Sequence, residues 1–232
     1  MARFLAVTAH PDDESFLFGG TLARYGAAGH EVALLCVTDG QAGRMGDHAS
    51  REDLGKVRRD ELQRACAVLG IPTLYTPGWM DGALVSVADD RGTELVRAHV
   101  ERFEPDVLLT FGPEGASGHE DHKAVSRWTR AAADGRRLYM ASGTTPEGIE
   151  LPVDRVREKP LPVTTEIDIR EIGDRKRRAF LEHRTQLDHL ELFDRLMDAL
   201  DGKELYHRVH PAWQGDGALE SSLLPPSRED EA

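Results

Sequence analysis

The sequence predicts an α/β fold, a three-layer sandwich in which helices cover both faces of a mostly parallel sheet. In the first half of the chain, continuous apolar runs alternate with helix-compatible segments, two of which end at a glycine. Strands that are apolar at every position are buried on both faces, as in parallel sheets. The 232 residues suffice for one domain, and 40% hydrophobic with 30% charged residues is the profile of a globular protein.

Four strands and three helices are predicted before residue 112. The strands are Phe4–Ala9, Val32–Thr38, Ile71–Tyr75 and Asp106–Phe111, and the helices are Leu17–Ala28, Glu52–Leu69 and Glu94–Phe103. The middle helix has the clearest pattern, because its apolar residues recur near a spacing of 3.6 and Gly70 follows it.

The pattern loosens after Arg136. The segment Leu151–Pro162 holds three prolines and is predicted to be a surface linker, and Val163–Ile169 alternates like an edge strand. Two further helices are predicted over Arg170–Gln186 and Leu187–Leu200. We predict a single domain over residues 1–214 and a flexible tail over 215–232, which is rich in Gly, Ser, Pro and Glu.

The charge balance argues against several classes of partner. The chain has 29 Lys and Arg against 41 Asp and Glu, a net charge of −12 with a pI near 5.3. Phosphate backbones and anionic lipids repel such a surface, so we expect no nucleic-acid binding. We also expect no stable membrane insertion, because no apolar run approaches about 20 residues.

The cysteines and the first residues indicate the compartment. Cys36 and Cys66 lie in apolar surroundings and are predicted to be buried thiols. The apolar run at the start of the sequence is too short for a signal peptide. We therefore expect a cytoplasmic protein.

A polar cluster, His10-Pro11-Asp12-Asp13-Glu14, directly follows the first predicted strand. The carboxyl ends of parallel strands are where α/β proteins bind ligands. Pro11 suits the first position of a helical turn, which would place His10 and Asp13 on one face. An imidazole and a carboxylate make two thirds of a catalytic zinc site, and Asp12 would stand beside the metal as general base.

A second cluster, His119-Glu120-Asp121-His122, follows the strand Asp106–Phe111 and a glycine-rich loop. Its histidines have i, i+3 spacing at the start of a helix predicted through Trp128, so one can ligate a metal while the other faces the substrate. Each cluster also has a simpler interpretation: a turn, an acidic helix start, or surface histidines. We favour a metal site because both clusters follow apolar strands and both carry histidine and carboxylate.

These two clusters resemble the motifs of the PIG-L/LmbE family of zinc-dependent N-acetylglucosaminyl deacetylases. Weaker similarities extend the resemblance over most of residues 3–190. They are Thr38-Asp39-Gly40, Arg58–Leu62, Asp81-Gly82 and Lys176–Gln186. The resemblance implies a Rossmann-like sheet and a metal cofactor, Zn²⁺ with Fe²⁺ as an alternative.

The resemblance also implies a role for each site residue. His10, Asp13 and His122 would hold the metal, Asp12 would be the general base, and His119 would steady the oxyanion. Asp121 would hydrogen-bond a histidine and hold its charge state, and beside His119 it would favour the imidazolium form.

Three residues are candidates for substrate binding. Arg58 and Asp81 match family positions that resemble sugar- or phosphate-contacting residues, and Arg44 lies on a glycine-rich loop, Gly40–Gly46, that would close over the site. Each has a structural interpretation: Arg58 would face solvent on its helix, and Asp81 would shape a turn before a glycine. His183 is a candidate to reach the site from the C-terminal helix, but the favoured interpretation is a packed or surface histidine.

The function implied by the resemblance is hydrolysis of an N-acetyl group on a small molecule containing N-acetylglucosamine, with zinc-bound water as nucleophile. Two alternatives stay open: an amidase acting on a thiol-sugar conjugate, and a non-catalytic sugar-binding α/β protein. A dinucleotide-binding dehydrogenase is discarded, because no G-x-G-x-x-G follows the first strand. The expected partner is a small amino-sugar substrate. A homo-oligomer stays open, with the proline-rich segment and the late helices as its interface, but no feature of the sequence requires one.

Overall fold

Seven strands form one sheet in the computed structural model, which describes residues 1–45, 48–142, 159–215 and 217–225. The strands are β1 (Arg3–Thr8), β2 (Glu31–Cys36), β3 (Thr73–Tyr75), β4 (Val107–Phe111), β5 (Arg137–Ala141), β6 (Thr165–Asp168) and β7 (Lys203–His210). The helices are α1 (Gly19–Ala27), α2 (Leu54–Leu69), α3 (Asp89–Phe103), α4 (Gly115–Gly118), α5 (Glu120–Ala132), α6 (Gly173–Leu181) and α7 (Leu190–Ala199).

The strand order β3-β2-β1-β4-β5-β7-β6 places the first strand in the middle of the sheet. β1 pairs in parallel with both β2 and β4, and only β7 runs antiparallel to its neighbours, β5 and β6. The chain builds outward from β1 to β3 and then crosses back to β4. The carboxyl ends of β1 and β4 therefore flank the point where the strand order reverses, which is where open α/β sheets bind ligands.

Alternate residues of β1 face two separate layers of helices. Phe4 and Ala6 belong to a hydrophobic cluster with residues of α1, α2 and α6. Leu5 and Val7 belong to a second cluster with residues of α3 and α5. Because both faces of the central strand are covered by helices, the predicted three-layer α/β sandwich is confirmed.

Most elements of the first half lie where the sequence predicts them, with shifted ends. α1 begins later than predicted because residues Glu14–Phe18 form a single π-helical turn before it. α3 begins earlier, at Asp89, where two aspartates in the first turn suit the positive end of a helix dipole. The helix predicted over Arg170–Gln186 ends at Leu181, and a 3₁₀ segment, Arg184–His189, follows it.

Part of the predicted tail is held against the sheet. Leu223 is buried, and its backbone N–H donates to Tyr25 Oη at 2.7 Å. Glu220 accepts from Thr165 Oγ1 at 3.0 Å. The division of the chain at residue 214 stays a prediction. Of the predicted linker Leu151–Pro162, residues 151–158 lie outside the described part of the chain.

The predicted environment of both thiols is confirmed, since Cys36 and Cys66 are buried and free. Among the helices in the described ranges, none is long and apolar enough to cross a membrane.

Candidate active site

The cluster after β1 forms a tight turn at the carboxyl edge of the sheet. The backbone N–H of Asp13 donates to the carbonyl of His10 at 3.3 Å. The Asp13 carboxylate in turn accepts from the N–H groups of Ala9 and His10, at 3.2 and 2.7 Å. These bonds bring the side chains of His10 and Asp13, each 9% exposed, to the same side of the turn.

His10, Asp13 and His122 converge on one point. His10 Nδ1 lies 3.1 Å from His122 Nε2. The carboxylate oxygens of Asp13 lie 3.2 Å from His122 Nε2 and 3.7 Å from His10 Nδ1. His122 comes from the first turn of α5, and its ring stacks on Phe111 of β4 at 4.1 Å. The structure thus brings together the three residues predicted as metal ligands.

The other ring nitrogen of each histidine already has a partner. His10 Nε2 lies 2.9 Å from Asp81 Oδ1, and His122 Nδ1 donates to the carbonyl of Gly115 at 3.0 Å. Donation from these nitrogens leaves lone pairs on the two nitrogens that face each other at 3.1 Å. Facing lone pairs repel unless positive charge lies between them. Together with the Asp13 carboxylate, they make the two-nitrogen, one-oxygen donor set of a three-ligand metal centre.

Two further groups of potential donors share His10. One joins it to His119 and His122, and the other to Asp81 and Asp121. The carboxylates of Asp81 and Asp121 lie next to His10 Nε2, the nitrogen that faces away from Asp13. They would orient the ring, because histidines that bind a metal through one nitrogen commonly donate the other to a carboxylate.

The carboxylates around His10, Asp13 and His122 favour a positive charge where these three side chains meet. Burial lowers the pKa of His10, but hydrogen bonds to Asp121 and Asp81, together with the charges of Asp13 and Asp81, outweigh burial and raise that pKa to about 10. Burial raises the pKa of Asp13, yet His122 and His10 hold it well below its ordinary value. Carboxylates that stabilise a proton here would also stabilise a divalent cation, which competes with protons for the same ligands.

Asp12 stands beside the three converging residues in an unusual backbone conformation. Its φ is 116°, in the region that side-chain-bearing residues rarely adopt, and its side chain is 14% exposed. Burial raises the pKa of Asp12 to about 6, while the charge of Arg58 acts in the opposite direction. A carboxyl group with a pKa near neutrality suits the acceptance and return of a proton.

Arg58 is buried, not exposed on its helix as the structural interpretation expects. Its guanidinium donates to the carbonyls of Pro11 and Gly40, the latter at 2.9 Å, and lies 3.4 Å from Asp12 Oδ1. A Cβ at Gly40 would lie 2.3 Å from Arg58 Nη1, and its φ is +65°, so glycine is required where the loop crosses the guanidinium.

The Asp121 carboxylate contacts a histidine other than His119, whose imidazolium form it is expected to favour. The Asp121 carboxylate accepts from the backbone N–H groups of Gly82 (2.7 Å) and Leu84 (3.0 Å), and the histidine that it contacts is His10, at 3.4 Å. Toward His119 it presents its backbone N–H, which donates to Nδ1 at 3.2 Å as an N-cap of α5. Burial, followed by the charges of His10 and His122, outweighs the opposing charges of Asp121 and Asp13 and lowers the pKa of His119 to about 4.

The candidate substrate-binding residues have different surroundings. Both carboxylate oxygens of Asp81 have protein partners, since Oδ1 contacts His10 and Oδ2 accepts from Ala42 N at 3.1 Å. Arg44 is exposed at the surface, with Nη1 3.8 Å from Asp188 Oδ2, and its carbonyl accepts from Gln186. Gly46, at the end of the predicted loop, lies outside the described residues.

Sequence reasoning missed the contact between His183 and Glu14. His183 Nε2 lies 2.7 Å from Glu14 Oε1, and both side chains are fully buried. Since 169 positions separate the two residues, no local pattern connects them.

The chain is similar to one described protein family and to several known proteins. Residues 5–133 match the PIG-L family, described as GlcNAc-PI de-N-acetylase. A relative from Rhodococcus erythropolis, 1D-myo-inositol 2-acetamido-2-deoxy-alpha-D-glucopyranoside deacetylase, is 31% identical over 238 residues, covering 80% of this chain and 81% of the relative. A relative of the same name from Corynebacterium glutamicum is 32% identical over 161 residues, covering 60% of this chain but only 56% of its own length.

A solved structure shares the fold. GalB, the 4-carboxy-2-hydroxymuconate hydratase from Pseudomonas putida KT2440, superposes with a TM-score of 0.75 over 94% of this chain and 100% of that chain, at 18% identity. A likeness at this identity concerns the fold alone. The family match covers more than half of the chain, and the Rhodococcus relative extends the similarity to 80% of it. The chain therefore belongs to the PIG-L family.

Proposed function

We propose that this protein is a metal-dependent hydrolase that removes the N-acetyl group from a small molecule containing N-acetylglucosamine. The observation that carries the proposal is the orientation of His10 and His122. Each engages one ring nitrogen with a protein acceptor and turns the other toward Asp13. The substrate class is supported by the two relatives, whose names describe deacetylases of a 2-acetamido-2-deoxyglucoside of inositol.

We assign His10, Asp13 and His122 as metal ligands and zinc as the metal, with Fe²⁺ as the alternative that two histidines and one carboxylate admit. When bound, the metal supplies Lewis-acid polarisation of the acetamide carbonyl and acidifies the attacking water. Asp81 has the complementary task of orienting His10, because its Oδ1 lies 2.9 Å from His10 Nε2.

Asp12 is the proposed general base. Its carboxylate takes a proton from water as the water oxygen attacks the acetamide carbon, and it returns that proton to nitrogen as the C–N bond breaks. The products are acetate and a primary amine. The raised pKa of Asp12, about 6, fits a group that carries a proton between these two steps.

His119 is the proposed donor to the oxygen on which negative charge develops. Its Nδ1 accepts from the backbone N–H of Asp121, so a neutral ring carries its proton on Nε2. A neutral imidazole can donate that hydrogen bond without the imidazolium form that the sequence analysis expects, in line with a pKa of about 4.

Substrate contacts by Arg44, Arg58 and Asp81 stay predictions. The surroundings favour Arg44 as the residue that reaches sugar hydroxyls, because its side chain is 68% exposed. Arg58 and Asp81 are buried and use their polar atoms on Asp12, His10 and nearby backbone.

We also propose that the protein works in the cytoplasm. Two buried free cysteines need no oxidising compartment, and a net charge of −12 disfavours anionic membrane surfaces. Assembly into a homo-oligomer stays a prediction.

The test is release of a primary amine from a panel of N-acetylglucosaminides by the purified protein and its Asp12→Asn variant. We expect activity in the original protein and a loss of about 100-fold or more in the variant, with bound metal unchanged in both. Full activity in a metal-replete Asp12→Asn variant would contradict the assignment of the base.

The same assay separates the alternatives. Preference for a thiol-sugar amide over the acetamides would favour the amidase. Tight sugar binding with one metal per chain and no amine release would favour the non-catalytic binding protein.

A further inference from the structure

Two fully buried ionisable side chains lie directly beneath the site and have no part in the reaction steps above. Glu14 and His183 are each 0% exposed, and His183 Nε2 lies 2.7 Å from Glu14 Oε1. His183 belongs to the segment after α6, and its Nδ1 has no hydrogen-bond partner within the described chain. The single polar contact of its ring is therefore the one to Glu14.

Glu14 contacts both His183 and the backbone of Asp12, the proposed base. Its second oxygen, Oε2, accepts from the backbone N–H of Asp12 at 3.0 Å, while Oε1 also accepts from Ser15 Oγ at 2.6 Å. Asp12 is the residue with a φ of 116°, a conformation that persists only where neighbouring groups hold it. The hydrogen bond from its N–H to a buried carboxylate is such a restraint, and His183 fixes the orientation of that carboxylate.

A second buried ion pair, between α6 and β7, does not contact the turn that carries Asp12. Lys176 Nζ lies 2.7 Å from Glu204 Oε1, and the two side chains are 4% and 3% exposed. Glu204 accepts from the N–H groups of Gly20 and Thr21 at the start of α1. This second pair joins β7, α6 and α1, and its hydrogen bonds serve the helix start, not the catalytic turn.

We propose that His183 is a positioning residue that acts through Glu14 to hold the backbone of Asp12 in its catalytic conformation. The inference rests on the proposed function, in which Asp12 is the general base. A base displaced by about 1 Å can lose on the order of 100-fold in rate, so a residue that never touches the substrate can control turnover.

The chemistry of the contact selects the variants. Glutamine places its side-chain nitrogen at about the reach of histidine Nε2, so His183→Gln keeps a donor for Glu14 Oε1. Asparagine carries the same amide on a shorter stem and does not reach that oxygen. Lys176→Met is the matched control, because it breaks a buried ion pair of similar length that does not contact the catalytic turn.

The experiment compares kcat, KM, bound metal, thermal stability and the exchange rate of the Asp12 amide proton in these three variants. We expect kcat to fall at least about tenfold in His183→Asn, with KM and metal content unchanged, and to be largely retained in His183→Gln. The Asp12 amide proton should exchange faster in His183→Asn than in His183→Gln. Lys176→Met should lower the melting temperature and leave both kcat and Asp12 exchange unchanged.

Equal kcat and equal Asp12 exchange in the Asn and Gln variants would overturn the proposal. So would a loss of kcat in Lys176→Met as large as that in His183→Asn, because general destabilisation would then explain both. If the unaltered protein released no amine, the proposed function would fail, while Asp12 amide exchange would still test the link from His183 to Asp12.

Discussion

Arg58 makes three contacts around the proposed base. Its guanidinium donates to the carbonyls of Pro11 and Gly40 and lies 3.4 Å from Asp12 Oδ1. The planar, forked donor set of arginine can serve several acceptors at once, whereas lysine offers one compact ammonium. The catalytic turn and the loop at Gly40 therefore share one buried cation.

We expect Arg58→Lys to destabilise the protein by about 2 kcal/mol, because buried acceptors lose charge-assisted hydrogen bonds. We also expect it to lower kcat without loss of metal, since the metal ligands are untouched. Urea unfolding measures the loss of stability, and amine release measures the loss of kcat.

The control is Arg59→Lys, at the next position of the helix. The Arg59 side chain is 41% exposed and Lys would keep its charge beside Asp39, 3.2 Å away, so the effect should stay within about 0.5 kcal/mol. Equal effects at the two positions would contradict the role of Arg58.

Among the residues of the site, the contacts that the sequence predicts are those between residues of the same motif. The spacing of His10 and Asp13, and of His119 and His122, is local, so their approach could be predicted. The contact of Asp81 with His10 could not, nor could that of His183 with Glu14, because tertiary folding alone joins them. The direction of the Asp121 carboxylate was also out of reach, since it depends on backbone donors of a distant loop, Gly82 and Leu84.

At the scale of elements, α3 and α5 approach closely where a glycine faces an aromatic ring. A Cβ at Gly92 would lie 2.1 Å from ring carbons of Trp128, which is fully buried and donates from Nε1 to Asp89 at 2.9 Å. If the Trp128 ring moved away from Gly92, it would lose its hydrogen bond to Asp89. This contact sets the spacing of two helices on the face that carries His122.

We expect Gly92→Ala to destabilise the fold by about 1–3 kcal/mol through overpacking, despite the better helix propensity of alanine. Chemical denaturation measures the change. Gly173→Ala is the control, because the nearest atom to its added Cβ would be Met197 Cε at an ordinary 3.6 Å. We expect no loss of stability there, and equal destabilisation by both substitutions would contradict the packing argument.

The strand β7 was not predicted, because its sequence lacks the hydrophobic pattern from which strands are predicted. The fully buried residues of β7 are Glu204 and Tyr206, so its inward face lacks the apolar alternation by which strands are recognised. Glu204 is tolerated there because Lys176, Tyr206 and two backbone N–H groups satisfy its carboxylate. In contrast, β1 and β4 contain unbroken apolar runs, over residues 4–7 and 107–109, and both strands were predicted.

At the scale of the whole molecule, the site joins segments that meet only in the folded chain. His10 and Asp13 follow β1, and His122 follows β4, on the two sides of the point where the strand order reverses. An ion held by all three would bind the folded state and not the unfolded one. Metal binding is then coupled to stability.

We expect zinc at about 100 times its dissociation constant to stabilise the protein by about 2.7 kcal/mol, and a chelator to reverse the effect. Thermal unfolding at graded zinc concentrations measures it. The His122→Ala variant should show a much smaller shift. A shift as large in the variant as in the unaltered protein would place the metal elsewhere.

The most direct test of the metal centre is elemental analysis of the protein and of His122→Ala, both purified without chelators. We predict about one divalent metal per chain in the unaltered protein and its loss in the variant. Absence of metal from both, even after zinc is added back, would contradict the account and leave the converging histidines with a structural role.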